Sequence, residues 1–159
     1  MSAAVLIVCI GNELVADDGV GWVVYERLRD SGLPEHVRLV FLGLGGIDLL
    51  EEIDGEDLLV VVDGVQLGAT PGTIHRLGWE QLPATSPRPV SGHGIGIREA
   101  IGVGRKLYPV RVPKDIILIG VEGKCFNQLG AGLTEEVALA VPQAVATVLS
   151  LVQGCKVEV

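Results

Sequence analysis

Runs of consecutive apolar residues alternate along the chain with segments whose apolar positions repeat at helical spacing. The runs at 3–10 (AAVLIVCI), 58–62 (LLVVV) and 115–121 (DIILIGV) predict strands that are buried on both faces. Apolar residues spaced as on one helical face predict a helix from about Val20 to Asp30. Strand and helix patterns therefore take turns along the chain, which is typical of a sheet covered by helices.

Weaker patterns complete the order of elements. They predict a strand at 37–42, a short helix at 47–53, an edge strand at 73–77, a loop at 78–92 and helices at 95–107 and from 134 onward. The connection into the edge strand is too short for a crossover helix, so that strand should run antiparallel to its predecessor. We therefore predict one α/β domain over residues 1–159, with three α/β/α layers and a five-stranded, mostly parallel sheet that has one antiparallel strand.

Composition and charge limit the classes of function. Hydrophobic residues make up 48% of the chain and charged residues 20%, which excludes disorder as the main state. The net charge is −8 and the 12 basic residues are scattered singly, which argues against a nucleic-acid partner. The weakly polar stretch Val137–Val152 has 16 residues, fewer than the ~20 that span a bilayer, so we expect a packed helix. These features predict a cytoplasmic protein without membrane insertion.

Cysteine and histidine contexts remove some candidate sites. The cysteines Cys9, Cys125 and Cys155 form no CxxC pair, so neither a disulfide framework nor a thiolate zinc site is predicted. Cys9 lies in a strand-like run and is expected to be a buried small hydrophobe. His36 and His75 lie in surface-like contexts and are expected to be solvated.

Three polar segments follow predicted strands or precede a helix, where ligands of parallel α/β sheets bind. They are residues 10–19 (IGNELVADDG), Asp63 after the third strand, and the glycine-flanked His93. Asp17 and Asp18 are adjacent, so their side chains should point in different directions. We expect one of them to cap the following helix and the other to face the cleft, and spacing alone does not choose between them.

The residue types in this cleft suit some chemistries better than others. The GxGxxG fingerprint is absent, and carboxylates stand where a pyrophosphate would need backbone donors, which disfavours a nucleotide site. Ser91 next to His93 lacks the G-x-S-x-G context of a nucleophile. One histidine and two carboxylates suit a divalent first-row metal that keeps open positions. The sequence thus predicts an acidic, histidine-bearing cleft able to bind a metal.

Four motifs, taken in order and spacing, resemble the hydrogenase maturation endopeptidases over about Val5 to Val152. They are GNELVADDGVG at 11–21, Val62-Asp63 with PGTI at 71–74, Ser91-Gly92-His93, and Gly120-Val121 with GLTEEV at 132–137. Members of this family remove the C-terminal tail of the large-subunit precursor of nickel–iron hydrogenases. The resemblance therefore implies a peptidase whose partner is that precursor.

By this resemblance Asp18, Asp63 and His93 are the metal-contacting and catalytic residues, and Asp17 takes the capping role. The metal would be nickel that the precursor already carries, rather than an ion held tightly by the free enzyme. Cleavage after a histidine or arginine is implied, by water activated either by the metal or by a carboxylate, as in an aspartyl-type endopeptidase.

The chain departs from the family pattern at two places. Cys9 stands where many members have glycine, and residues 41–46 (FLGLGG) replace the Asp-Gly-Gly found in many members near the end of the second strand. The difference at Cys9 affects turn geometry more than chemistry. The difference at 41–46 suggests altered recognition or another class of precursor. An alternative from a different functional class is a nickel-sensing binding module without peptidase activity, acting in hydrogenase assembly.

Overall fold

A five-stranded sheet forms the centre of the computed structural model, which describes residues 4–43, 48–82 and 96–154. The strands are β1 (Val5–Ile10), β2 (Val37–Leu42), β3 (Leu58–Val65), β4 (Ile74–Gly78) and β5 (Asp115–Glu122). Their order in the sheet is β2-β1-β3-β5-β4. All neighbouring pairs are parallel except β4 with β5. The predicted edge strand is confirmed, and the strand beside it is β5 rather than its predecessor β3.

Helices cover both faces of this sheet. They are α1 (Val20–Asp30), α2 (Leu49–Glu52), α3 (Ile97–Leu107) and α4 (Glu135–Gly154). One apolar cluster joins α1 and α4 to alternate residues of β1 and β3, such as Ile7 and Val60. The intervening residues, such as Val8 and Val61, pack with α2 and α3. The predicted three-layer α/β/α fold is thereby confirmed.

Helix α4 is longer than the 16-residue apolar stretch that it contains. It has 20 residues, and its most apolar 18-residue stretch has a mean hydropathy of 1.6, so it meets the length and composition of a membrane span. The expectation that it is too short to span a bilayer is therefore wrong. The packing of α4 shows how its apolar face is covered. One face of the helix is buried in the cluster with α1 and the sheet, and it consists of Val137, Ala140, Val141, Ala144, Val148 and Val152. This pattern is that of a core helix that covers a sheet.

Strand β3 also extends further than predicted. The ladder with β5 continues through the pairs of Asp63 with Gly120 and of Val65 with Glu122. Asp63 is therefore a residue of the strand near its carboxyl end, not the first residue after it. The apolar run ends at Val62, but backbone pairing does not require apolar side chains.

A close crossing of backbones fixes the start of α1 against the end of β1. A Cβ atom at Gly21 would lie 2.1 Å from the carbonyl oxygen of Ile10, and one at Gly11 would lie 2.1 Å from the carbonyl oxygen of Asp18. Gly11 also has a φ of 152°, which side-chain-bearing residues rarely adopt. Both glycines of the first motif are therefore required by the fold, whatever the function of the neighbouring carboxylates.

We expect Gly21→Ala to lower the free energy of unfolding by about 3 kcal/mol, because the added methyl group overlaps backbone that cannot move aside. Gly102→Ala is the matched control. Gly102 lies in α3 with open space around its Cα, so alanine should stabilise that helix by about 0.5–1 kcal/mol. Urea denaturation of both variants measures the difference, and equal stabilities would contradict the crossing as described.

Candidate active site

The segment between β1 and α1 folds into a compact loop. The side-chain oxygen of Asn12 accepts the amide hydrogen of Leu14 at 2.9 Å, which forms an Asx-type turn. A single 3-10 turn then runs from Ala16 to Gly19, and all four of its residues are buried. We call this turn, which contains both Asp17 and Asp18, the aspartate turn.

Asp17 points into the loop that follows β5. Its carboxylate accepts the amide hydrogens of Lys124 at 2.8 Å, Cys125 at 2.9 Å and Thr134 at 2.8 Å. The hydroxyl of Thr134 donates to the same carboxylate at 3.0 Å. Helix α1 has no side-chain cap, so the predicted capping role of Asp17 is wrong for α1. Asp17 instead holds residues 124–134, which lead directly into α4.

Asp18 points back toward the end of β1. Its buried carboxylate accepts the amide hydrogen of Asn12 at 3.0 Å. The Asp18 carbonyl lies against Gly11, so backbone and side chain both face the first residues after the strand. The adjacent aspartates thus serve different parts of the molecule, as the sequence predicts, and only Asp18 is turned toward the carboxyl edge of β1.

Asp63 reaches the same edge from β3. Strand alternation places it on the sheet face of Val61, which packs with α2 and α3, and 9% of its surface is exposed. A Cβ atom on the next residue, Gly64, would lie 3.0 Å from the carbonyl oxygen of Asp17. The aspartate turn therefore packs on β3 directly after Asp63. The structure brings the segments that carry Asp18 and Asp63 together at one edge of the sheet.

The third predicted site residue, His93, lies outside the described residues, as does Ser91. Within residues 4–43, 48–82 and 96–154, no three His, Cys, Asp or Glu side chains are grouped as a metal site would require. Asp18 and Asp63 alone cannot complete a three-ligand set. The predicted metal site therefore remains a prediction in which His93 is the third member.

Comparison with known proteins adds independent information. A family model described as hydrogenase maturation protease matches residues 23–151, most of the chain. The chain belongs to the hydrogenase maturation protease family. The predicted family and the predicted enzyme class, a peptidase, are thereby confirmed.

Individual relatives agree with this assignment. A putative hydrogenase maturation protease of Methanocaldococcus jannaschii is 31% identical over 91% of this chain and 94% of its own length. The hydrogenase 2 maturation protease of Escherichia coli is 28% identical over 97% of this chain and 93% of its own. The solved structure of the hydrogenase maturating endopeptidase HybD from Escherichia coli superimposes with a TM-score of 0.84 at 27% identity, covering 99% of this chain and 96% of that one.

Cys9 is unsuited to act as the nucleophile of this peptidase. It is fully buried in β1, and burial raises the pKa of its thiol well above the usual range, with the Asp63 carboxylate adding to the effect. A thiol held neutral in this way is a poor nucleophile. The expectation that Cys9 is a small buried hydrophobe is confirmed. Cys9 pairs with Val62, the residue before Asp63, so Asp63 lies beside the end of β1.

The sequence did not predict a partly buried pair of side chains near this edge. Nε2 of His75 lies 2.9 Å from Oε1 of Glu122, and Glu122 also accepts the amide hydrogen of Leu67 at 3.0 Å. The expectation that His75 is solvated is wrong, because β4 pairs with β5 and sets this histidine beside a buried carboxylate. The pair joins the end of β5 to β4 and to the loop after β3.

The same substitution at the two neighbouring aspartates should have different effects on stability. Asp17→Asn places an amide NH2 against converging donors and should lower the free energy of unfolding by about 3 kcal/mol. Asp18→Asn should lower it less, because the side-chain oxygen of asparagine can still accept the amide hydrogen of Asn12. Urea denaturation of both variants tests this, and a larger loss for Asp18→Asn would contradict the assigned roles.

Proposed function

We propose that this protease removes the C-terminal extension of a nickel–iron hydrogenase large-subunit precursor after nickel insertion. In this proposal the enzyme recognises the bound nickel through Asp18, Asp63 and His93. The single observation that carries the proposal is the packing of the aspartate turn on β3 directly after Asp63, which brings two buried carboxylate-bearing segments to the ligand-binding edge of the sheet. Membership of the hydrogenase maturation protease family supports the choice of substrate.

The chemistry of the donors supports reading nickel as part of the substrate. Two carboxylates and an imidazole form a mixed oxygen and nitrogen set without a thiolate, and such a set binds a first-row ion only modestly. Cysteine thiolates in a precursor would bind nickel more firmly and leave coordination positions open. The side chains of Asp18, Asp63 and His93 could fill those positions, so that only a nickel-loaded precursor would be held correctly for cleavage.

Burial of the carboxylates also supports this role. The backbone amide of Asn12 fixes the Asp18 carboxylate, and β3 fixes the backbone of Asp63, so little of this edge must be ordered when the substrate arrives. Packing at the end of the sheet further limits water around them. A cation presented there by the precursor meets preformed negative charge in a weakly screened environment.

We expect Asp63→Asn and Asp18→Asn each to reduce cleavage of the nickel-loaded precursor by at least about 100-fold, because each removes one negative ligand from recognition. Mass spectrometry of the product measures the cleavage. Asp57→Asn is the matched control, because Asp57 is an exposed aspartate whose side chain pairs with Lys114. Its cleavage rate should stay at the wild-type value. Normal cleavage by Asp63→Asn would contradict the proposal.

The nickel requirement gives a separate prediction. The purified protease should contain well under one equivalent of nickel, and it should cleave the nickel-loaded precursor but not the nickel-free precursor. Elemental analysis of the protein and mass spectrometry of both reactions test this. Rapid cleavage of the nickel-free precursor would show that nickel is not recognised. Tight binding of the loaded precursor without any cleavage would favour a nickel-sensing module instead.

A further inference from the structure

The outer side of strand β2 is open. β2 lies at one end of the sheet and pairs with β1, and no strand in the described part of the chain pairs with its other side. All six residues of β2 are partly exposed, whereas all six residues of β1 are buried. A sheet edge of this kind presents unpaired backbone N–H and C=O groups to any extended chain that approaches it.

The hydrogen bonds to β1 show which backbone groups of β2 point outward. The amide of Gly11 donates to the carbonyl oxygen of Leu42 at 3.2 Å, so Leu42 and the other even-numbered residues of β2 bond to β1. The direction of the backbone groups alternates along a strand. The N–H and C=O groups of Leu39 and Phe41 therefore face the open side.

The usual devices that protect a sheet edge are missing from β2. Its sequence, VRLVFL, contains no proline, and its pairing with β1 continues without a bulge. Its one charged residue, Arg38, is turned toward helix α2, where it forms an ion pair with Glu52 at 2.8 Å. An unprotected apolar edge promotes association with other chains, so this edge is suited to pairing with one.

An aromatic cluster flanks the open side of β2 on the face covered by α1. The ring centroid of Trp22 lies 4.9 Å from that of Phe41 and 5.4 Å from that of Tyr25. These three are half of the six aromatic residues of the chain, and each is partly exposed. The side chains of an added strand point alternately to the two faces of the sheet, so every second one meets this cluster.

The open side of β2 leads directly to the candidate active site. Leu42 is the last residue of β2, and it bonds to Gly11, which precedes Asn12, the residue whose amide is held by the Asp18 carboxylate. A strand added to β2 lies about 4.8 Å beyond it, and hence roughly 10 Å from β1. Extended chain advances about 3.3 Å per residue, so about three residues connect such a strand to Asp18.

We propose that the C-terminal extension of the precursor binds as an added strand on the open side of β2. This inference rests on the proposed function and identifies the surface that holds the segment to be removed. A peptidase acts on a polypeptide, and main-chain pairing at a sheet edge is a common way to hold an extended one. Because the extension follows the cleaved bond, it runs antiparallel to β2, from Leu42 toward Val37.

The position of this edge favours the substrate over a second copy of the chain as its occupant. Of the two ends of the sheet, β2 is the one adjacent to β1 and hence to Asp18, whereas β4 is separated from β1 by β3 and β5. Pairing of β2 with a second copy would close the edge nearest the carboxylates to the extension.

Hydrogen exchange resolved to single amides tests the inference. The Asp63→Asn variant, which is expected to cleave slowly, is saturated with nickel-loaded precursor, and saturation is checked by native mass spectrometry. The amides of Leu39 and Phe41 should exchange at least about tenfold more slowly in the complex than in the free protein, because each gains a hydrogen bond. The amide of Val40 is the internal control, since it already bonds to β1 and its exchange should change little.

Steady-state kinetics on the otherwise unaltered enzyme provide a second readout. Trp22→Ala removes the centre of the aromatic cluster and should raise KM for the nickel-loaded precursor roughly tenfold, with kcat near the wild-type value, since binding is lost and not chemistry. Tyr108→Ala is the matched control, because Tyr108 is an aromatic residue with 51% exposure that lies outside β2 and α1. Its KM should equal that of the wild type.

Each other outcome has a defined meaning. Unchanged exchange at Leu39 and Phe41 in the saturated complex would overturn the inference even if cleavage is normal, and so would an unchanged KM in Trp22→Ala. Protection that rises with enzyme concentration in the absence of precursor would assign β2 to self-association and also overturn it. If the wild-type enzyme neither binds nor cleaves the loaded precursor, the proposed function fails first and the inference fails with it.

Discussion

The carboxylate of Asp17 holds together the two loops from which this edge of the molecule is built. A buried charge without partners would be strongly destabilising, but three amide hydrogens and one hydroxyl converge on this one. Those donors belong to residues 124–134. The hydrogen bonds therefore stabilise the buried Asp17 carboxylate and also fix the loop that leads into α4. The adjacent Asp18 is turned the other way, toward the end of β1.

The crossing of β1 and α1 supplies the second constraint. Gly11 and Gly21 allow the end of the strand and the start of the helix to approach within a distance that no side chain permits. The aspartate turn connects the end of β1 to the start of α1 over a short distance. Within this turn Ala16 adopts an unfavourable φ of 39°. Of the first motif, the glycines at 11 and 21 thus shape the backbone, and the Asp17 carboxylate holds it to residues 124–134.

Much of the fold could be predicted from the sequence because its elements have strong hydrophobic patterns. The bounds of α1 and β2 agree with the predictions, and the layers and the antiparallel edge strand are as expected. Errors occur where backbone pairing continues past the apolar residues, as in β3, which runs through Asp63 to Val65. A pattern of apolar residues indicates which side chains are buried, but it does not indicate where the hydrogen bonding between two strands ends.

The site was less predictable because its contacts are distant in sequence. Local rules suggested that Asp17 caps the adjacent helix, but its partners lie more than 100 positions away, at Lys124, Cys125 and Thr134. His75 was misassigned for the same reason, since nothing in its immediate context reveals Glu122 on the neighbouring strand. The segments carrying Asp18 and Asp63 were placed at one edge correctly because strand direction alone determines that placement.

The contacts of Asp17 are distant in sequence, and this affects when its loop can fold. Closing a contact between residue 17 and residues 124–134 requires nearly the whole chain, and such non-local contacts form late in folding. A chain emerging from the ribosome without β5 and the start of α4 has no partner for this carboxylate and so no ordered edge beside β1. This edge of the sheet can therefore be completed only after β5 and the start of α4 have been synthesised.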